Sequence, residues 1–132
     1  MNGNHCIIWL FLLYGVCFIG MTDGCPADCS CGGDTCKYVF CFNRGLKNVP
    51  TGIPNDTCEL NLRFNQINRI DSNAFQGLSQ LETLWLYNNQ ISQIDNNAFK
   101  GLSQLRELHL DRNQISGIDN NTFQGLSQLQ TL

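Results

Sequence analysis

Residues 81–104 read LETLWLYNNQISQIDNNAFKGLSQ, and residues 105–128 read LRELHLDRNQISGIDNNTFQGLSQ. Laid end to end, the two blocks share 16 of 24 residues, and five of their eight differences fall at places 2, 3, 5, 7 and 8. The shared residues follow one template: Leu at places 1, 4 and 6, Asn at 9, Ile at 11 and 14, Phe at 19, and Gly-Leu at 21–22. The first copy supplies Leu81, Leu84, Leu86, Asn89, Ile91, Ile94, Phe99, Gly101 and Leu102. The second supplies Leu105, Leu108, Leu110, Asn113, Ile115, Ile118, Phe123, Gly125 and Leu126. Residues 57–80 keep Leu60, Leu62, Asn65, Ile67, Ile70, Phe75, Gly77 and Leu78, but open on Thr57 where Leu is expected. A fourth copy starts at residue 129 and runs for four residues.

Places 4 and 6 alternate with 3, 5 and 7, the period of a strand with one buried face. The later Ile, Phe and Leu places face inward from the returning arc. One such coil cannot close a core alone, whereas stacked coils share one. A 24-residue period headed by L-x-x-L-x-L-x-x-N is the signature of a leucine-rich repeat. It predicts an α/β solenoid, a horseshoe with a parallel sheet on its concave face. Asn65, Asn89 and Asn113 stand where the chain turns sharply after the strand. An amide that both donates and accepts can satisfy the stranded backbone groups there, so these three are read as structural. Phe75, Phe99 and Phe123 are read as a stacked core spine.

Residues 7–19 are almost unbroken hydrocarbon and aromatic. As a helix they span about 20 Å, well short of the ~30 Å hydrocarbon core of a membrane. Gly20, Thr22 and Gly24 follow, so residues 1–24 read as a secretory signal peptide cut before Cys25, although residues 1–6 hold no Lys or Arg. Residues 25–56 form a cysteine-rich cap, and 57–132 the repeats, divided as 57–80, 81–104, 105–128 and a truncated 129–132. Of eight cysteines, Cys6 and Cys17 leave with the signal segment, and Cys25, Cys29, Cys31, Cys36, Cys41 and Cys58 remain. An even, crowded set behind a signal peptide implies disulfides in an oxidising compartment. Zinc is the competing reading of Cys25-x3-Cys29-x-Cys31, but zinc modules present paired Cys-x2-Cys knuckles or added histidines, and the only His outside the signal segment is His109. No metal and no cofactor is expected. The last block stops without the polar cap that a terminal repeat needs. The chain therefore reads as part of a longer protein, with any membrane attachment in the missing C-terminal part.

Cap and repeats together resemble an extracellular leucine-rich-repeat protein with a cysteine-rich N-terminal cap. Cys25-Pro26-x2-Cys29-x-Cys31 followed by Val39-x-Cys41 looks like the four-cysteine signature of that cap, and Leu46-x2-Val49-Pro50-x2-Ile53-Pro54 like its link into the first repeat. The wording is most similar to lamprey variable lymphocyte receptors and related invertebrate repeat proteins. Toll-like receptor ectodomains, Slit-type guidance proteins and matrix proteoglycans share much of it. The resemblance implies Cys25–Cys31 and Cys29–Cys41 disulfides. Cys36 and Cys58 depart from its pattern and pair by parity, although six cysteines allow 15 connectivities.

Function should sit where the copies differ. Drift after duplication would scatter changes over all exposed places, yet polar places 10, 12, 15, 16, 17, 23 and 24 are identical in the two full copies. Stacked strands lie ~4.8 Å apart, so equivalent places form columns on the concave sheet. Glu59, Thr83 and Glu107 make one; Asn61, Trp85 and His109 the next; Arg63, Tyr87 and Asp111 the third, flanked by Phe64, Asn88 and Arg112. An exposed Trp beside a Tyr, ringed by Arg, Asp and His, has the composition of an interface hot spot; the alternative is a Trp half-covered by its column neighbours. Trp85→Ala and Tyr87→Ala are expected to abolish binding without lowering the melting temperature. The expected ligand is a protein, a glycoprotein or carbohydrate included. Nucleic acid is not expected, because the net charge is −3 and no basic run occurs. The location is secreted or the outer face of the plasma membrane, in immune-type recognition or cell-surface signalling. A matrix or cell-adhesion component is the alternative. Enzyme activity is not expected, because the repeat register places no Ser or Cys nucleophile beside His109 and Asp111. Two sequons, Asn55-Asp56-Thr57 and Asn120-Asn121-Thr122, mark glycosylation sites of a secreted surface, the second off the strand face.

Overall fold

The computed structural model describes residues 24–132, so the signal-peptide reading falls outside the described residues except at Gly24. The strands are β1 (Ser30–Gly32), β2 (Lys37–Phe40), β3 (Thr57–Asn61), β4 (Arg69–Ile70), β5 (Thr83–Trp85), β6 (Gln93–Ile94) and β7 (Glu107–His109). Five of them form one sheet in the order β1-β2-β3-β5-β7. The β1–β2 pair of the cap is antiparallel, and every later pairing is parallel. Partners stand one repeat apart: Glu59 with Thr83 and Glu107, Leu60 with Leu84 and Leu108, Asn61 with Trp85 and His109. Strands β4 and β6 pair in a second, two-stranded parallel sheet farther along the coil. The result is a leucine-rich-repeat solenoid of about three coils behind a disulfide-bonded cap.

The template leucines and isoleucines make the core. Leu60, Leu62, Ile67, Ile70, Leu81, Leu84, Leu86, Ile91, Leu105 and Leu108 are fully buried. Phe75, Phe99 and Phe123 stack with ring centroids 6.0 and 5.9 Å apart, one ring per coil. The returning arcs hold no helix among the described residues. Each is a run of turns: Ala74, Gln76 and Leu78 donate to Asp71, Asn73 and Phe75, and Ala98, Lys100 and Leu102 repeat this onto Asp95, Asn97 and Phe99. The expected α/β solenoid is thus built from strands and turns. The reason is length, since only seven residues run from Asp95 to Gly101, where φ of +88° breaks the arc. So short a segment does not repay helix nucleation, and glycine takes that left-handed conformation without steric cost.

The asparagine ladder joins the coils. Asn89 Nδ2 donates to Leu86 O at 2.9 Å and Leu62 O at 3.0 Å, while its Oδ1 accepts from Ile67 N at 3.1 Å. Asn65 does the same between the cap and the first coil, and Asn113 between the second and third. Each amide therefore closes its own turn and bonds the preceding coil.

One core expectation changes, and the cysteine pairings are as expected. Coil 105–128 is packed by coil 81–104 on one side, and on the other by residues 129–132, where Thr131 pairs with Glu107 and Gln130 N donates to Arg106 O at 2.8 Å. Leu110, Ile115 and Phe123 are accordingly half-buried, and Ile118, expected inside, is 46% exposed. At the other end the disulfides are Cys25–Cys31, Cys29–Cys41 and Cys36–Cys58, with Cα separations of 5.9, 4.4 and 5.5 Å. No described cysteine is free. The third bridge reaches Cys58 on β3 and ties the cap to the first coil, alongside a Lys37–Asp56 ion pair at 3.3 Å.

Candidate functional site

The concave sheet begins in the cap. Tyr38 stands in register with Glu59, and Phe40 with Asn61. Backbone bonds from Cys41 N to Asn61 O and from Asn43 N to Arg63 O carry the pairing on, which sets Phe42 beside Arg63. Each column therefore opens on a cap aromatic. The repeat comparison misses these three, because they precede the first 24-residue block. The signal that finds them is alternation: Tyr38, Phe40 and Phe42 interleave with buried Val39 and Cys41, the two-residue period of a half-buried strand.

Arg63 is the centre of the face. Its guanidinium carbon lies 5.3 Å from the Phe42 ring centroid, 5.9 Å from Phe64, 5.2 Å from Trp85 and 5.9 Å from Tyr87. Its Nη1 donates to Tyr87 Oη at 3.0 Å. Cation–π contacts of this kind contribute about 0.5–1 kcal/mol at exposed sites and about 2 where desolvated. The rings also meet one another. Phe64 and Tyr87 are edge-on at 5.4 Å, and Trp85 meets His109 edge-on at 5.9 Å. His109 Nε2 lies 3.4 Å from Glu107 Oε2. Among the described residues Arg63 meets no carboxylate within ion-pair distance. Arg63 Nε and Trp85 Nε1 are buried without an acceptor. Both groups donate only, so the cluster holds two unpaired donors.

The other predicted residues fall as follows. Glu59, Thr83, Asn88 and His109 are half-buried, while Glu107, Asp111 and Arg112 are exposed. Trp85, expected to be exposed, is half-buried under its neighbours. Asn61 must be withdrawn from the contact surface. It is 3% exposed, standing between Phe40 and Trp85 in register, and its Oδ1 accepts from Arg63 N at 3.3 Å. A short amide between two large aromatic side chains is overtopped by them.

The flanking column has an unforeseen backbone. Asn43, Phe64, Asn88 and Arg112 all have φ of 54–56°. Asn visits this left-handed region readily, whereas a bulky side chain there is strained. Phe64 keeps that conformation while 48% exposed, which sets its ring on the rim beside Arg63.

The leucine-rich-repeat family model matches residues 41–91, 57–115 and 86–132. Vasorin of Xenopus tropicalis is 39% identical over 80 residues, covering 61% of this chain and 12% of that protein. Leucine-rich repeat-containing protein 4 of Rattus norvegicus is 45% identical over 64 residues, 48% of this chain and 10% of that protein. This chain thus spans about a tenth of the length of these curated relatives. Among solved structures, human 5T4 (trophoblast glycoprotein) superposes with a TM-score of 0.71 at 30% identity, over 85% of this chain and 40% of that one. A Toll-like receptor 13 chain, solved with the single-stranded RNA ssRNA13, superposes at 0.65 with 35% identity, over 71% of this chain and 14% of that one. Register, asparagine ladder, phenylalanine spine and sequence match agree: the chain belongs to the leucine-rich-repeat family.

Proposed function

We propose that this chain is an extracellular recognition module that binds a protein partner on its concave sheet, with Arg63, Trp85 and Tyr87 at the centre. The observation that carries the reading is the guanidinium held among four aromatic rings on an open sheet face. Aromatic and arginine side chains dominate the few contacts that supply most binding energy, and rigid ones lose least entropy on docking. Arg63 is half-buried and meets no carboxylate within ion-pair distance among the described residues, so its charge suits a partner that offers carboxylate or carbonyl oxygens there. Asp111 and Glu107, exposed at the far end of the face, suit cationic side chains. Net charge of −3 opposes a phosphate backbone, so the RNA held by the Toll-like receptor 13 structure is not carried over. Three disulfides support an oxidising compartment, reached through residues 1–24 acting as a signal peptide, with 25–56 as the cap and 57–132 as the repeats. The role is recognition in immune-type or cell-surface signalling, with no catalytic step.

A panel of extracellular proteins displayed on cells, probed with the tetramerised chain, tests this. Trp85→Ala, Tyr87→Ala and Arg63→Gln should each weaken binding to the selected partner by about 30-fold or more, the size of a hot-spot loss. Gln104→Ala, in the arc, should leave it unchanged. Normal binding by all three concave variants overturns the reading.

A further inference from the structure

Two buried threonines stand where other coils carry an apolar residue. Place 18 is Ala74, then Ala98, then Thr122. Ala98 and Thr122 are both 1% exposed, so the hydroxyl enters a site that alanine already fills. Thr122 Oγ1 is buried there with no hydrogen-bond partner. Such a hydroxyl opposes folding, so packing supplies no reason for Thr. Place 1 is Leu81 and Leu105 but Thr57 in the first coil, 0% exposed. Its hydroxyl is satisfied by Pro54 O at 2.6 Å, yet the apolar volume of a leucine is still given up.

What the two share lies two residues upstream. Asn120 and Asn55 are both exposed, and the threonines complete Asn120-Asn121-Thr122 and Asn55-Asp56-Thr57. The second coil is an internal control. It carries Asn96-Asn97-Ala98 in the same arc, and Asn97 N bonds Asp95 Oδ1 at 3.1 Å just as Asn121 N bonds Asp119 Oδ1 at 2.9 Å. The arc thus closes through an aspartate carboxylate and a backbone N–H, with Ala98 or Thr122 alike at place 18.

We infer that Asn120 is an N-glycosylation site, with Asn55 its counterpart, and that the modification rather than the fold retains Thr122 in the core. The donor class is an oligosaccharide linked to a lipid pyrophosphate. Asn120 Nδ2 forms a bond to the anomeric carbon, the bond from that carbon to the pyrophosphate oxygen breaks, and lipid pyrophosphate leaves with the electron pair. The amide proton passes to base. Because the folded coil seals Thr122, the transferase must read the sequon before coil 105–128 packs onto coil 81–104. Both asparagines lie off the concave columns, so their glycans coat the other sides of the solenoid and leave the sheet free. The inference rests on the extracellular part of the proposed function and not on the ligand site.

The test uses the full chain secreted from cultured animal cells. Enzymatic deglycosylation in heavy-oxygen water should convert Asn120 to a labelled Asp, read by peptide mass. Thr122→Ala should remove that label and should raise, or leave unchanged, the melting temperature of the deglycosylated protein, while Thr122→Ser keeps the label. Ala98→Thr should install a glycan on Asn96. Secreted, fully disulfide-bonded protein with unmodified Asn120 overturns this inference alone. A lowered melting temperature of deglycosylated Thr122→Ala also overturns it, since the threonine would then serve the fold. Failure of the chain to enter the secretory pathway overturns it together with the extracellular reading.

Discussion

At the scale of single residues, the face is made by side chains that work against their own backbone. Asn43 and Asn88 occupy the left-handed turn after the strand comfortably, but Phe64 and Arg112 hold the same φ. For residues other than Gly or Asn that conformation costs about 1–2 kcal/mol. Arg112 is exposed, so Arg112→Asn should raise stability by about 1 kcal/mol in a denaturant melt, with the fold unchanged. A loss of stability would show that the arginine makes a supporting contact. Trp85 follows the alternative reading, half-covered by its neighbours. Its half-burial against Arg63, Tyr87 and His109 means that truncation removes packing as well as any ligand contact. Binding by Trp85→Ala must therefore be measured at a temperature where the variant is folded. The strand-period reading placed Trp85, Tyr87, His109 and Asp111 on one face. It could not weigh neighbours against one another, and that is why Asn61 sinks while Phe64 stays proud.

At the scale of elements, coil follows coil through a ladder that uses one amide per turn. Asn89 satisfies Ile67 N, Leu62 O and Leu86 O from a single buried side chain. Asn89→Ala leaves Ile67 N without a partner, whereas Leu62 O keeps Asn65 Nδ2 and Leu86 O keeps Asn113 Nδ2, at about 1–3 kcal/mol for the one group that water cannot reach. A loss of about 1–3 kcal/mol in chemical denaturation is expected, and no loss would mean that water substitutes. The sequence predicted this role well, because an amide after a strand has few other uses. It predicted the cap strand poorly. Tyr38, Phe40 and Phe42 belong to no repeat, and their place on the sheet follows from the β2–β3 pairing, a contact between segments joined by a loop with no periodic pattern.

At the scale of the whole molecule, the cap is locked to the repeats by Cys36–Cys58, a bridge closing 22 residues. Chain-entropy arguments give about 3 kcal/mol for a loop of that size. The double variant Cys36→Ala and Cys58→Ala should lose about that much stability while Cys25–Cys31 and Cys29–Cys41 still form, checked by thermal melting and peptide mapping. Since β2 carries the cap aromatics, the same variant should loosen the Phe42 side of the Arg63 cluster.

The repeat, its period and the alternation of leucines were enough to specify a solenoid, its buried spine, its asparagine ladder and the face that varies. These depend on local spacing, and local spacing is written in the chain. Which members of that face are covered, which are strained, and that the cap supplies its first aromatics depended on how neighbouring coils meet. Those outcomes are set by side chains one repeat apart or beyond it, crowding together at strand spacing, and no single block of 24 residues contains them.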